Sequence, residues 1–367
     1  MKYSKIDSFG ILIMALLGLI FYAGCMKLGP QYRKPDIGIQ TPVTYQHATS
    51  GTQSSNPLDR WWEAFGNPQI NQLVVEAFSH NLDIKKTTAK ILEIRSRFKQ
   101  TRADRFPDLN FQLNAQRRRM TVTETALSSG GLVVLERRKN IDSYSLSCPA
   151  TYEVDLWGRL ARAEEASRAD LLQAGENRLT VIQSIIAETI TAYLQMEALE
   201  RRIQITKQSI ENYQRNLDLV QRRYERGLTS ILDLRQARRV LAQSEALPPE
   251  LRRDLGLTQQ KLAVLLGRYP VTHPPREHQE DYFKQMTPVP PGLPSKLLLR
   301  RPDIRAAEAQ LQALNARVGV AKASRFPRIN LTASLGYSNN ELGQLFQPQS
   351  QLWSLAGGLV QPLFDAG

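Results

Sequence analysis

Cysteine and histidine are scarce in this chain, with two and four among 367 residues. Two cysteines cannot build a disulfide framework, and four histidines leave little from which to assemble a Cys/His metal cluster. Long apolar runs are equally rare. Only residues 9–24 are apolar and uncharged over a length of that order, and with a mean hydropathy of −0.36 a bundle of spanning helices is excluded. The chain also lacks a glycine-rich phosphate loop, an HExxH pair and a GxSxG elbow. Acids such as Glu164 and Glu165 stand beside arginines on a helical pattern, as a solvated face would. His80, His273 and His278 fall in or near loops or helix ends and are read as incidental. The chain is therefore expected not to be an enzyme, and no catalytic residue, metal ligand or non-covalent cofactor is expected.

What is abundant is positive charge: 48 Lys+Arg against 35 Asp+Glu, a net +13. Clustered, it would suit nucleic acid; here it is spread along helical patterns, and nucleic acid is not an expected partner. One cluster, Arg117, Arg118, Arg119, Arg137, Arg138 and Lys139, is expected at the loop end of a strand pair, outside the cell or against anionic headgroups.

Lys2 and Lys5 precede the apolar run, the pattern of a secretory signal over residues 1–24. Ala23 and Gly24 directly before Cys25 resemble a bacterial lipoprotein signal, in which the cysteine is lipidated and begins the mature chain. Tyr22 stands where an aliphatic residue is usual, so a plain signal peptide with an incidental cysteine stays open. Met26 resembles the sorting residue of outer-membrane lipoproteins. Residues 25–60 are rich in Pro, Gly, Ser, Thr and Gln and read as an extended leader.

Two kinds of element follow. No proline occurs between Pro149 and Pro248, and Gly158 and Gly175 are the only glycines there before Gly227. A helix over 157–226 would be about 100 Å long, more than one compact domain can bury. Leu199, Ile203, Thr206, Ile210, Tyr213, Leu217, Val220 and Tyr224 alternate steps of four and three, the period of a coiled-coil seam. After Gly227, a second arm offers Leu234, Ala237, Leu241, Ser244, Leu251, Leu255, Thr258, Leu262 and Leu265. An antiparallel hairpin over 157–267 is expected, interrupted at Pro248 and Pro249.

The other element has period two. In residues 109–116, Asn110, Gln112, Asn114 and Gln116 alternate with Leu109, Phe111, Leu113 and Ala115. In 143–154, Ser143, Ser145, Ser147, Thr151 and Glu153 alternate with Tyr144, Leu146, Cys148, Ala150, Tyr152 and Val154. In 329–338, Asn330, Thr332, Ser334 and Ser338 alternate with Ile329, Leu331, Ala333, Leu335 and Tyr337. A weaker run covers 351–363. A soluble sheet with one wet face would alternate in the same way. Export, together with the bounding aromatics Tyr144, Tyr152, Trp157, Tyr337 and Trp353, favours a membrane barrel. Four strands are too few to close one, so the chain is expected to oligomerise, and the polar faces favour three or more copies around an aqueous lumen. The expected lumen-facing residues are Asn110, Gln112, Asn114, Gln116, Ser143, Ser145, Ser147, Thr332 and Ser334.

Residues 102–110, RADRFPDLN, resemble residues 322–330, KASRFPRIN, 220 positions on. Each runs from a helical pattern through Phe-Pro into a strand, so the chain reads as a duplication. The first copy continues into the long hairpin. The second stops at Gly367, and a second hairpin is expected to be missing, the chain being a fragment or an interrupted gene product.

Gly29-Pro30-Gln31-Tyr32-Arg33-Lys34-Pro35, Trp61-Trp62 with Phe65 and Pro68, Tyr152-Glu153-Val154-Asp155-Leu156-Trp157-Gly158, Leu266-Gly267, Leu293-Pro294-Ser295 and Arg300-Arg301-Pro302-Asp303-Ile304 stand in the order found in the TolC-type outer-membrane factors. The chain resembles the lipoprotein branch of that family from drug-efflux pumps over nearly its whole length. The resemblance implies a mixed α and β membrane protein, with four transmembrane strands per chain in a trimeric twelve-stranded barrel and a helical tube across the periplasm. It implies a passive exit duct in the outer membrane of a Gram-negative bacterium for small molecules such as drugs, docked to a periplasmic adaptor and an inner-membrane transporter. Arg226, Gly227, Leu228, Thr229 and Ser230 match the family's adaptor-contact turn. The expected divisions are 1–24 signal, 25–60 lipidated leader, 61–108 entry helices, 109–154 first β-hairpin, 157–267 helical hairpin, 268–301 connecting segment, 302–326 second-repeat helix, 327–363 second β-hairpin, and 364–367 the start of the absent hairpin. The alternative is the lipid-anchored periplasmic adaptor of the same pumps, or a fragment of the channel without function.

Overall fold

A computed structural model of the chain describes residues 27–34, 60–128, 131–270 and 298–364. The signal segment, Cys25, most of the leader, His273, His278, most of 268–301 and residues 365–367 lie outside them. The chain divides into two units.

The helical unit comprises Asp36–Leu92 and Gln173–Ala307. Helix α1 (Pro68–His80) starts where Asn67 accepts from the Gln69 amide at 2.7 Å, with Pro68 at the first position, where a missing N–H costs nothing. Its Ile70, Val74 and Ala77 share one face and are buried. Asn81 accepts from the amides of Asp83 and Ile84 to start α2 (Leu82–Ala103), while its Nδ2 donates to the Leu265 carbonyl at 2.8 Å. Helix α3 (Arg159–Glu225) has 67 residues and is about 100 Å long. Its Ile185, Ala192 and Met196 pack with Ala77, Ile84, Leu262 and Leu266 in one core cluster, and Ile186, Ile190 and Tyr193 pack with Ile70 and Val74 in a second.

The returning arm is α4 (Ile231–Glu245) and α5 (Leu247–Leu265), divided at Ala246 just before Pro248 and Pro249. Along it Leu234, Leu241, Leu251, Thr258, Leu262 and Leu265 are buried, and Ala237, Ser244 and Leu255 half-buried. Opposite them Leu199 is buried and Ile203, Thr206, Ile210, Leu217 and Val220 half-buried.

The sheet unit comprises Met1–Pro35, Glu93–Leu172 and Glu308–Gly367. Its strands are β1 (Asp108–Leu109), β2 (Gln112–Ser128), β3 (Gly131–Val154), β4 (Arg328–Asn339) and β5 (Gln351–Val360), with helix α6 (Pro302–Ala323) leading into β4. All pairings are antiparallel: β1 and β2 on one side of β3, β4 on the other, and β5 beyond β4. The gap between β1 and β2 is not a slip, since Leu109 stands opposite Ala150 and Gln112 opposite Ser147 in one unbroken register. It is caused by Pro149. The Asn110 amide donates to the Pro149 carbonyl at 3.0 Å, but proline has no N–H to return the bond. Expected strand 109–116 is thus one interrupted strand that continues far beyond residue 116. The basic cluster expected at a loop end lies instead within paired strands, Arg117 opposite Asp142 and Arg119 opposite Asn140. Thr121-Val122-Thr123 supplies the β-branched residues that prolong pairing there.

Trp157 ties the strand end to the helix start: its ring stacks on Phe326 at 4.9 Å and its Nε1 donates to the Pro327 carbonyl at 2.8 Å. The leader is clamped beside it. Leu28 donates its amide to the Trp157 carbonyl, and Arg162, its side chain 4% exposed, donates to the carbonyls of Leu28 and Gly29 and to Glu165. Asn315 donates to the Pro30 carbonyl, and Lys34 pairs with Glu308 at 3.5 Å. Gly29 has φ +95°, and a Cβ there would meet the Gly319 Cα at 2.5 Å, so only glycine lets the strap approach α6 this closely. Arg162→Ala removes a buried charge-assisted network and should weaken this attachment by about 2–3 kcal/mol. Faster proteolysis and amide exchange at residues 27–34 would register it, with Arg162→Lys restoring little because an ammonium cannot serve all three acceptors in the fork geometry.

Candidate functional site

The register sorts the sheet into two chemical faces, because residues directly opposite in an antiparallel pair point to the same side. Across one face run Gln112–Ser147–Gly336–Leu352, Asn114–Ser145–Ser338 and Gln116–Ser143, and at the helix end Thr151–Thr332–Ala356 and Glu153–Asn330–Gly358. Ser334 stands between Pro149 and Ser354, and Asn110 falls on the same face by its position between Leu109 and Gln112. All nine expected lumen residues, Asn110, Gln112, Asn114, Gln116, Ser143, Ser145, Ser147, Thr332 and Ser334, therefore share one face. The other face carries Leu113–Leu146–Tyr337, Leu109–Ala150–Ala333–Leu355, Cys148–Leu335–Trp353 and Val154–Ile329–Leu359. Among the described residues this apolar face is largely exposed, with Phe111 at 74% and Trp353 at 77%, although Phe346 packs edge-on against Tyr337. The outer edge of β2 and the outer edge of β5 are each without a strand partner among the described residues.

A cavity of about 750 Å³ opens at the helix end of the sheet, lined by residues including Asp104, Asp108, Glu153, Arg159, Asn330 and Thr332. Glu153 accepts both Nε and Nη2 of Arg159, at 3.0 and 2.7 Å, so the two charges largely cancel there. Sequence reading missed this pair and Arg162; their spacings, six residues apart and far along the chain, carry no periodic signal.

The second candidate region is the helix turn at 226–230. Gly227 has φ +74°, its amide donates to the Tyr224 carbonyl and the Leu228 amide to the Arg223 carbonyl, both at 2.9 Å, which is the Schellman arrangement that stops α3. Ser230 then caps α4. Its hydroxyl accepts from the Asp233 amide, and the Asp233 carboxylate accepts from the Ser230 amide and from the Thr229 hydroxyl. Those hydrogen bonds, from Thr229 first and then Ser230, hold the Asp233 carboxyl below its usual range. Leu228, Ile231 and Leu232 are left exposed around this rigid turn. Beside it, a groove of about 220 Å³ is lined by Tyr213, Asn216, Val220, Asp233, Gln236, Ala237 and Val240. The five turn residues are thus brought together in one turn.

Gly227→Ala should cost about 1 kcal/mol through its left-handed backbone, and Ser230→Ala a similar amount through the lost cap. Both are measurable as faster amide exchange at 226–234. Because the Asp233 pKa is depressed on folding, its contribution is complete at neutral pH and is lost only as pH falls below about 4. Exchange protection of the turn should therefore be flat from pH 8 to about 4 and fall below that, and Asp233→Asn should abolish the acid dependence.

The family model described as outer membrane efflux protein matches residues 73–268 and 293–367. Among curated relatives, the probable outer membrane lipoprotein SilC of Salmonella typhimurium is 29% identical over 98% of this chain and 75% of its own length. The pyoverdine export outer membrane protein OpmQ of Pseudomonas putida is 32% identical over 91% of this chain and 70% of its own. Among solved structures, the outer-membrane channel OprN superposes with a TM-score of 0.79 at 30% identity, covering 91% of this chain and 73% of that one.

Proposed function

The chain belongs to the outer membrane efflux protein family, and from that premise we propose that it forms the outer-membrane exit duct of a tripartite efflux pump. The family is one of efflux channels, and the relatives are outer-membrane proteins of Gram-negative bacteria. The observation that carries the finer reading is the register that puts Gln112, Asn114, Gln116, Ser143, Ser145, Ser147, Thr332 and Ser334 on one face and a largely exposed apolar band on the other. From Tyr144 to Val154 the strand rises about 33 Å, which a tilt of 40–45° reduces to about 25 Å, the height of the apolar band of such barrels.

Two unpaired edges in lipid leave backbone groups unsatisfied, so the sheet closes by pairing β2 of one copy with β5 of another. Two copies give a barrel filled by its own side chains. Three give twelve strands and an aqueous lumen lined by Gln112, Asn114, Ser145, Ser147 and Thr332. Solutes pass down this neutral polar wall without chemistry, and energy comes from the inner-membrane transporter. The turn at 226–230, stiffened by two caps and bearing exposed Leu228, Ile231 and Leu232, is the docking point for the periplasmic adaptor. Lipidation of Cys25, three residues before Leu28 in sequence, would put a lipid anchor close along the chain to the clamped strap.

With Cys148 replaced by Ala, a membrane-impermeant maleimide should label Ser145→Cys and Thr332→Cys in membranes but spare Leu146→Cys and Leu331→Cys. Equal labelling of the two sets would overturn the barrel reading. In planar bilayers the purified protein should conduct ions stepwise; a sealed bilayer despite insertion would count against the duct.

A further inference from the structure

Beyond Tyr144 the ribbon of β2 and β3 continues without β4, whose last paired residue, Asn339, stands opposite Tyr144. Its register sorts charge by face, as it sorts polarity lower down. Ala115 and Tyr144 close the apolar face; on that same face follow Arg117 opposite Asp142, Arg119 opposite Asn140, and Thr121 opposite Arg138. Arg117 is already engaged, its Nε and Nη2 donating to the two Asp142 carboxylate oxygens at 2.6 and 2.7 Å. Arg119 and Arg138 are exposed and form no ion pair among the described residues. They are diagonal neighbours across the two strands, roughly 7–8 Å apart at the backbone, within reach of one shared anion. Guanidinium groups so placed suit the oxygens of a phosphate.

We propose that Arg119 and Arg138 form a docking surface for the anionic, phosphate-bearing headgroup of a membrane lipid. The inference rests on the barrel reading and adds a ligand to it. A lipid, rather than a free anion, is the occupant because the pair lies on the same face as the apolar band, separated from Ala115 and Tyr144 only by the Arg117–Asp142 rung, whose charges cancel. Acyl chains lying on Leu113, Leu146 and Tyr144 bring a headgroup past the Arg117–Asp142 rung to the two rungs that carry Arg119 and Arg138, and the apolar band below already fills the hydrocarbon height. Arg118 and Lys139, on the face that continues Gln116 and Ser143, meet no lipid and serve as an internal control of equal charge.

Native mass spectrometry of the detergent-solubilised full chain, titrated with phosphatidylglycerol and with phosphatidylcholine, reads the site directly. Phosphatidylglycerol should bind in preference, and Arg119→Gln with Arg138→Gln should weaken it at least about tenfold. Arg118→Gln with Lys139→Gln should change it by less than about threefold. Equal loss from both pairs, no loss from either, or full displacement by inorganic phosphate would overturn the lipid site. The maleimide pattern at positions 145 and 146, recorded on the same variants, reports strand facing independently. An intact pattern with no lipid preference removes this site alone, whereas an indifferent pattern removes the barrel reading and the site together.

Discussion

A sheet that is apolar on one side, polar on the other and open at both edges cannot persist as a lone object in either solvent. In water the uncovered band of Leu109, Phe111, Leu355 and Leu359 would aggregate; in lipid the edge amides of β2 and β5 would lack acceptors. In the proposed duct, closure through further copies satisfies both demands. Other features accord with that reading: long strands, a face rich in uncharged amides and hydroxyls, and helices that begin immediately at one end of the sheet.

The junction between strands and helices has to be rigid for such an object to hold its register, and the chain uses three unlike devices there. Trp157 stacks on Phe326 and bonds to the Pro327 carbonyl, joining the exit of the first repeat to the entry of the second. Glu153 and Arg159 link the last strand residues to the first helical turn. Arg162 gathers the leader. None is a large hydrophobic core; small residues such as Ala306, Ala309, Ala313 and Ala316 dominate α6 and allow close approach of backbones rather than bulk burial.

Much of this was legible in the residues because each element repeats a short period. The seam from Leu199 to Tyr224 and its counterpart from Leu234 to Leu265 are where burial falls, except at Tyr213 and Tyr224, which are exposed, and the alternation in 109–116, 143–154 and 329–338 sorts into faces once pairing is known. What escaped notice depended on distance or on pairing partners. Strand continuation beyond residue 116 was hidden because Arg117, Arg118 and Arg119 break the alternation by composition while Asp142 neutralises one of them across the ladder. Pro149 stood out only as the start of a stretch without proline that runs to Pro248. Its effect on Asn110 appears when the opposite strand is in place. The Arg162 clamp joins positions more than a hundred residues apart, and nothing local announces it.

The contact of Gly29 with Gly319 has a bearing on the order of assembly. The strap at residues 27–34 leaves the ribosome well before α6, yet the groove receiving it is completed only when α6 has been made, almost three hundred residues later. Closing so long a loop is slow, and it cannot begin until α6 has been synthesised. Seating of the strap is therefore a late event in maturation, and it reports that both halves of the duplication have already met.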